Sequence, residues 1–174
     1  MSDPGATALI RRLGPSDAEA YRALRLGALA QAPEAFGASH EEEAAYPMDI
    51  IRARLPESGP SAVFGGFAGG RLVGMAGFLA NDRIKQRHKG VLWGVFVQPG
   101  YRTHGLGEQL VRRVIEHAAA HVVLLHATVV TSNRAARRLY ARLGFREYGI
   151  ERMGLRVGDA FHDEALIALD LRTS

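Results

Sequence analysis

Val95 to Val111 reads VFVQPGYRTHGLGEQLV, and its character changes halfway along. The apolar run Val95–Val97 meets Pro99, which has no amide hydrogen for a sheet ladder and so ends a strand. From Leu106 onward, Leu106, Leu110, Val114, Ile115 and Ala118 recur at helical spacing and predict an amphipathic helix with one buried stripe. Between strand and helix stand Arg102, Gly105 and Gly107, in the order R-x-x-G-x-G. A helix starts with unpaired backbone N–H groups and the positive end of its macrodipole. Glycines there let those amides approach a ligand with no Cβ in the way. The natural occupant of such a nest is an anion such as a phosphate or pyrophosphate, and Arg102 adds a cation at its entrance. The spacing is neither G-x-x-x-x-G-K-[ST] nor G-x-G-x-x-G. A glycine turn that serves only tight strand-to-helix packing is the competing reading of the same residues.

A second element lies some twenty residues downstream. NRAARRLYARLGF places Asn133, Arg137 and Tyr140 at i, i+4 and i+7, which is one helix face, with Ala136, Leu139 and Leu143 expected on an adjacent, core-directed face. Tyr140 also reads as an ordinary amphipathic core tyrosine. Around these stretches the periodicities predict the order βααβββαβαββ. TALIRRL (Thr7–Leu13) is a first strand, and a helix follows with Ser16 and Glu19 as a capping box. APEAFGASHEEEAAYP is loop-like, and MDIIRARL is a second helix. SAVFGGFAGGRLVGMAGFLA gives two strands about a turn at Ala68–Gly70, and GVLWGVFVQP and VVLLHATVV give two more. Gly144 ends the Asn133 helix, and FREYGIERMGL and AFHDEALIALDL close the chain as strands. Such content implies a mixed sheet with helices on its faces.

The bulk properties restrict the function classes. With 174 residues, 47% of them hydrophobic, the chain reads as one globular domain over 1–174. No run of about 18 apolar residues suggests a membrane span, and the first residues lack the pattern of a secretory signal, so a cytoplasmic location is expected. Cysteine is absent, which removes disulfides, thiolate metal sites and a cysteine nucleophile. No H-E-x-x-H is present and no metal is expected. The net charge is +4, carried by twenty arginines and two lysines, Lys85 and Lys89, spread along the chain. Aromatics make up only 7%, so a nucleic-acid partner is not expected, and the field suits a small polyanionic ligand or mere solubility.

The two motifs together resemble the GCN5-related N-acetyltransferase (GNAT) superfamily. VFVQPGYRTHGLGEQLV is similar to its acetyl-CoA motif [R/Q]-x-x-G-x-[G/A], and NRAARRLYARLGF to its N-x-x-A-x-x-x-Y-x-x-x-GF element. The strand and helix order supports the resemblance over nearly the whole chain, and HDEALIALDL resembles the last strand of such enzymes. The resemblance implies an α/β GNAT fold: a central mixed, mostly antiparallel twisted sheet of about seven strands, flanked by four helices and splayed after the fourth strand. It implies acetyl-CoA as cosubstrate and acetyl transfer to a primary amine of a small molecule or peptide by direct attack. A non-catalytic, coenzyme A-binding sensor of the same fold is the alternative, and a homodimer is compatible with the resemblance.

By the same resemblance Val95, Phe96 and Val97 hold the pantetheine arm, with the Val97 amide polarising the thioester carbonyl. Arg102, Thr103, His104, Gly105, Leu106 and Gly107 cradle the pyrophosphate, His104 through its backbone. Asn133 contacts the cofactor arm or an ordered water, and Tyr140 is the general acid. Thr103 departs from the family, where glycine is common. The base departs too: relatives that acetylate protein N-termini often carry glutamate five residues before the asparagine, where this chain has Thr128. His126, His88, His40 and Glu41–Glu43 are the candidates left, and none is singled out. The Glu41, Glu42 and Glu43 cluster reads either as an attractor of a cationic amine or as a solvated helix end.

Overall fold

The computed structural model describes residues 8–173, without the side chains of Thr103, His104 and Thr173. Thr7, the predicted start of the first strand, lies outside the described residues. Seven strands form one sheet in the order β1-β2-β3-β4-β5-β7-β6. They are β1 (Leu9–Arg12), β2 (Ala62–Ala68), β3 (Arg71–Ala80), β4 (Lys89–Val97), β5 (Leu124–Val130), β6 (Arg146–Val157) and β7 (Ala160–Asp170). Every neighbouring pair is antiparallel except β4 with β5. A parallel pair needs a crossover, and it is supplied by α4 (Leu106–Ala119), the helix predicted after the glycine motif.

The helices α1 (Ala18–Gln31), α2 (His40–Ala45) and α3 (Met48–Ala53) precede β2, and α5 (Arg134–Arg142) joins β5 to β6. Two hydrophobic clusters divide the interior. Leu106, Leu110 and Val114 of α4 and Tyr140 of α5 share one with strand residues such as Phe64, Leu125 and Ile167. Tyr21 and Leu24 of α1 and Ile51 of α3 share the other with Val63, Met75 and Phe96. The sheet is thus a wall with a separate packed layer on each face. The hairpin between β2 and β3 turns on Gly69 and Gly70, both with positive φ (54° and 78°), as a two-residue hairpin of primed type requires.

Two local expectations are corrected. Ser16 lies in a 3-10 turn, and α1 starts at Ala18 with no side-chain cap. The organising residue is Asp17, whose carboxylate accepts from the Gly14 amide (2.9 Å) and from both Arg11 Nη atoms (2.8 Å each). The S-x-x-E box is real twenty-odd residues later. The Ser39 hydroxyl accepts from the Glu42 amide, and the Glu42 carboxylate accepts from the Ser39 amide. That box nucleates α2 inside the segment expected to be a loop, and it brings the helices among the described residues to five.

A bulge in β4 shapes everything downstream. Met75 pairs with Phe96 and Gly77 with Trp93, so Gly94 and Val95 together oppose the single residue Ala76. Gly94 has φ +64°, the left-handed conformation of a bulge with glycine at its first position. A bulge bends its strand and increases its twist. Upstream of it, β4 pairs with β5 over only three residues, Lys89–Val91 against Leu124–His126. Beyond Val91 the two strands part. A Cβ at position 94 has room, its nearest neighbour being Arg25 Nη1 at 3.5 Å, so the glycine is demanded by conformation and not by space. Gly94→Ala is therefore expected to cost about 1 kcal/mol of unfolding free energy from left-handed strain alone, as read by urea denaturation.

Candidate active site

The parting of β4 from β5 opens a cleft of about 770 Å³. Val95, Phe96 and Val97 line one side, Asn133, Ala136 and Leu139 another, and Arg102 stands at its rim. The strand geometry fixes which backbone groups face it. The Gln98 amide donates to the Val73 carbonyl of β3 at 2.9 Å, and Val97 lies opposite Gly74. Successive residues of a strand point their amides to opposite sides, so Val97 turns both N–H and C=O away from β3 and toward the cleft. Its carbonyl accepts from Arg102 Nε at 2.9 Å. Its amide faces a strand that has already diverged.

Arg102 is exposed, and its guanidinium is anchored by that bond and by the Phe96 ring, 5.6 Å from the centroid. Pro99–His104 form a 3-10 turn, and Gly105 then takes φ +70°, ψ +9° as the cap of α4. The first bond within α4 is Gln109 N–H to the Gly105 carbonyl at 3.0 Å, so the amides of Leu106, Gly107 and Glu108 head the helix with no intrahelical acceptor. Gly105 is thus required by backbone conformation. Gly107 is not, since a Cβ there would meet Val97 Cγ2 at an ordinary 3.7 Å. The side chains of Thr103 and His104 lie outside the described residues.

The α5 face is distributed differently from the expectation. Asn133 precedes the helix as its cap, its Oδ1 accepting from the Ala136 amide at 3.1 Å. Arg137 turns aside to β6, where its Nε and Nη2 donate to the Glu147 carboxylate at 2.7 and 3.0 Å. Its Nη1 donates to the Thr131 carbonyl at 3.0 Å. So the predicted row of amide, guanidinium and phenol does not form. Tyr140 instead goes inward with Ala136 and Leu143, is 8% exposed, and meets the Phe145 ring edge-on at 5.5 Å. Burial pushes its hydroxyl up to about 12. Asn133 and the three β4 residues line the cleft, whereas Tyr140 sits in the core behind it.

The candidate bases scatter. Glu42 is spent on its capping box, and Glu43 is buried and accepts from Arg25 at 3.3 Å and Arg54 at 2.8 Å. His40 and Glu41 line a second cavity of about 730 Å³ between α2 and the β6–β7 turn. His88 is exposed before β4. His126 lies opposite Val91, at the last paired position before the strands diverge. Its Nδ1 is 3.2 Å from the Tyr148 hydroxyl, and its buried Nε2 has no partner among the described residues. Burial, then the charges of Lys89 and His88, hold it below the ordinary histidine range. Sequence reasoning singled out neither Phe36, which lines the cleft, nor Gly94, whose bulge shapes β4 beside it, nor Arg25 and Trp93, which line a separate cavity. A lone glycine inside a strand pattern was the available signal for the bulge. Nothing local marks Arg25, which is distinguished by its burial alone.

Among the described residues no group of three or more His, Asp or Glu side chains is placed to hold a metal ion. No described helix is long and apolar enough to cross a membrane.

Comparison with known proteins agrees with this architecture. The sequence profile of the acetyltransferase (GNAT) family matches residues 26–145. The N-alpha-acetyltransferase RimI of Mycobacterium tuberculosis is 36% identical over 96 residues, which are 55% of this chain and 59% of that protein. The match thus spans under two thirds of the curated relative. An acetyltransferase of the GNAT family from Streptococcus pneumoniae superposes with a TM-score of 0.77 at 26% identity, over 93% of this chain and 98% of that one. The fold is shared as well by an acetyltransferase from Salmonella typhimurium solved with its cofactor acetyl-CoA, with a TM-score of 0.79 at 20% identity over 95% of each chain. A profile match over most of the chain, on a sheet that opens between its fourth and fifth strands, means that this protein belongs to the acetyltransferase (GNAT) family.

Proposed function

We propose that the protein is an acetyl-CoA-dependent N-acetyltransferase acting on a primary amine. The observation that carries this reading is the outward-facing Val97 amide in the open cleft, joined by the Pro99–His104 turn to the α4 amides that have no intrahelical acceptor. The residues fit the cosubstrate on their own geometry. The α4 amides and Arg102 suit its diphosphate. The unpaired edge of β4 suits the amide-bearing pantetheine arm, which can add to that edge as a strand would. When bound, acetyl-CoA supplies an acyl carbon that forms its new bond to the amine nitrogen as the carbon–sulfur bond breaks. The Val97 amide donates a hydrogen bond to the carbonyl oxygen as negative charge gathers there.

Tyr140 remains protonated throughout the neutral range, since burial holds it at about 12. That value suits donation of a hydrogen bond to the departing sulfur better than full proton release. Tyr140 lies behind the cleft wall, so its hydroxyl is reached by the bound thioester only past Ala136 and Leu139. His126 is the candidate base that stands at the root of the splay, kept neutral by burial and oriented by Tyr148. It lies opposite Val91, six residues along β4 from Val97, and its Nε2 is buried, so a proton from the amine reaches it only through intervening water. The match to a protein N-alpha-acetyltransferase supports an amine acceptor, and both a peptide and a small molecule are consistent with it. The non-catalytic sensor remains the contrasting reading, and a thiol-release assay with acetyl-CoA and a panel of amines separates the two. Tight coenzyme binding with no thiol release from any amine would favour the sensor.

Tyr140→Phe is expected to lower kcat about tenfold or more while calorimetric coenzyme affinity stays near wild type, and an unchanged kcat removes the tyrosine from the chemistry. Gly107→Val should weaken coenzyme binding at least about tenfold by setting a branched side chain over the helix amides. Since the Cβ itself is tolerated, normal affinity would refute the placement. The neutral imidazole is the active form of His126, so kcat/KM should fall as pH drops from about 6.5 toward its lowered value. His126→Gln should remove that acidic limb, and a pH profile identical to wild type would exclude it as the base.

A further inference from the structure

Five buried side-chain nitrogen or oxygen atoms lack a hydrogen-bond partner among the described residues, and four of them sit on one stretch of α1. They are the Tyr21 hydroxyl, Arg22 Nε, and Arg25 Nε and Nη1. Native proteins leave few such groups, and a cluster of them calls for a cause. The Arg25 side chain is 8% exposed, more than nine-tenths buried. One of its nitrogens donates to Glu43 Oε1 at 3.3 Å, and the other Glu43 oxygen accepts from Arg54 at 2.8 Å. One buried carboxylate therefore faces two guanidiniums, of which Arg54 is partly open to solvent and Arg25 is buried with two nitrogens unmet. Buried guanidinium donors left unmet are costly unless an acceptor, such as an anion, reaches them. The Tyr21 hydroxyl lies close enough to Arg54 to feel its charge, but it makes no hydrogen bond of adequate geometry.

The direction of Arg25 says where the anion belongs. Its guanidinium lies between Phe36 (5.0 Å to the ring centroid) and Trp93 (5.7 Å). Its unpartnered Nη1 is 3.5 Å from the point where a Cβ on Gly94 would stand, so it reaches the β4 bulge beside the acyl-transfer cleft. Arg25, Glu43, Arg54 and Trp93 line a cavity of about 520 Å³ whose remaining wall is largely apolar, with Val63, Phe78, Leu79 and Val91 among its residues. A planar fork with free donors is the side chain suited to a carboxylate.

We infer that Arg25 binds the carboxylate of the acceptor, so that the acceptor is a small amino acid with an apolar body. Its ammonium lies toward the β4 bulge, its carboxylate on Arg25 and its side chain in the apolar cavity. This deepens the acyl-transfer reading and rests on it.

The test uses the full chain with acetyl-CoA and matched acceptors, leucine against leucinamide and isoamylamine, and phenylalanine against phenylalaninamide, with free thiol as the readout. A charge-assisted pair predicts at least about a tenfold higher kcat/KM for each acid than for its amide. In Arg25→Gln that ratio should fall toward one. Equal use of acids and amides by the wild type would overturn the inference while leaving acyl transfer intact. Removing Arg25 alone leaves Glu43 buried with one cation, so R25M/E43Q, which removes both partners, is measured beside it, with coenzyme affinity and circular dichroism reporting the fold. Should no amine release thiol, the acyl-transfer reading fails by itself. Calorimetric titration of leucine and leucinamide into the coenzyme A-saturated protein then judges the anion site. Leucine binding that is lost in R25M/E43Q supports it, and no preference for leucine over leucinamide overturns it.

Discussion

The architecture depends on one interruption: β4 stops pairing with β5 after Val91. A sheet strand left without a neighbour exposes a row of amides and carbonyls, which is ordinarily a liability. Here the liability is confined to a cleft, because β4 keeps its antiparallel bonds to β3 while its other edge is freed. The Gly94 bulge bends and twists the strand at the point of parting. A packed layer lies on each face of the sheet. Phe96 is fixed in the α1/α3 layer and Val97 in the α4 layer, so β4 is gripped from both sides as it leaves β5.

That interruption also explains why the glycine motif works as it does. Pro99 ends the strand, a 3-10 turn follows, and Gly105 in the left-handed region starts α4, whose first amides have no intrahelical acceptor. Arg102 ties the two features together, because the same guanidinium that stands at the rim holds the Val97 carbonyl. The Val97 amide and the first amides of α4 are thereby fixed relative to one another by one short loop.

Much of this was legible along the chain. The strand-to-helix switch at Pro99, the Leu106 stripe, the Gly69–Gly70 hairpin and the Gly144 terminus are local events, each set by the backbone preference of a few residues, and each occurs where the pattern placed it. The differences concern single side chains captured by partners that spacing does not reveal. An S-x-x-E pattern can form wherever the backbone bends suitably, and Asp17 won the first contest because Arg11 and the Gly14 amide both bind its carboxylate. The row on α5 failed because Glu147, on another element, drew Arg137 away from Tyr140. Helical spacing constrains which residues share a side, but not which partner captures a long side chain.

Sequence alone therefore determined the family, the handover from β4 to α4, and a helix start capped by glycine, since these follow from periodicity, proline and glycine over short spans. Tertiary structure decided the rest. It chose which edge of β4 is free, buried Tyr140 deeply enough to hold its proton, placed His126 at the root of the splay, and enclosed Arg25 with only one carboxylate to share. Such properties depend on desolvation and on neighbours far away in the chain. No stretch of residues read by itself carries them, because a charge or a hydroxyl acquires its cost and its reactivity only from what is packed around it.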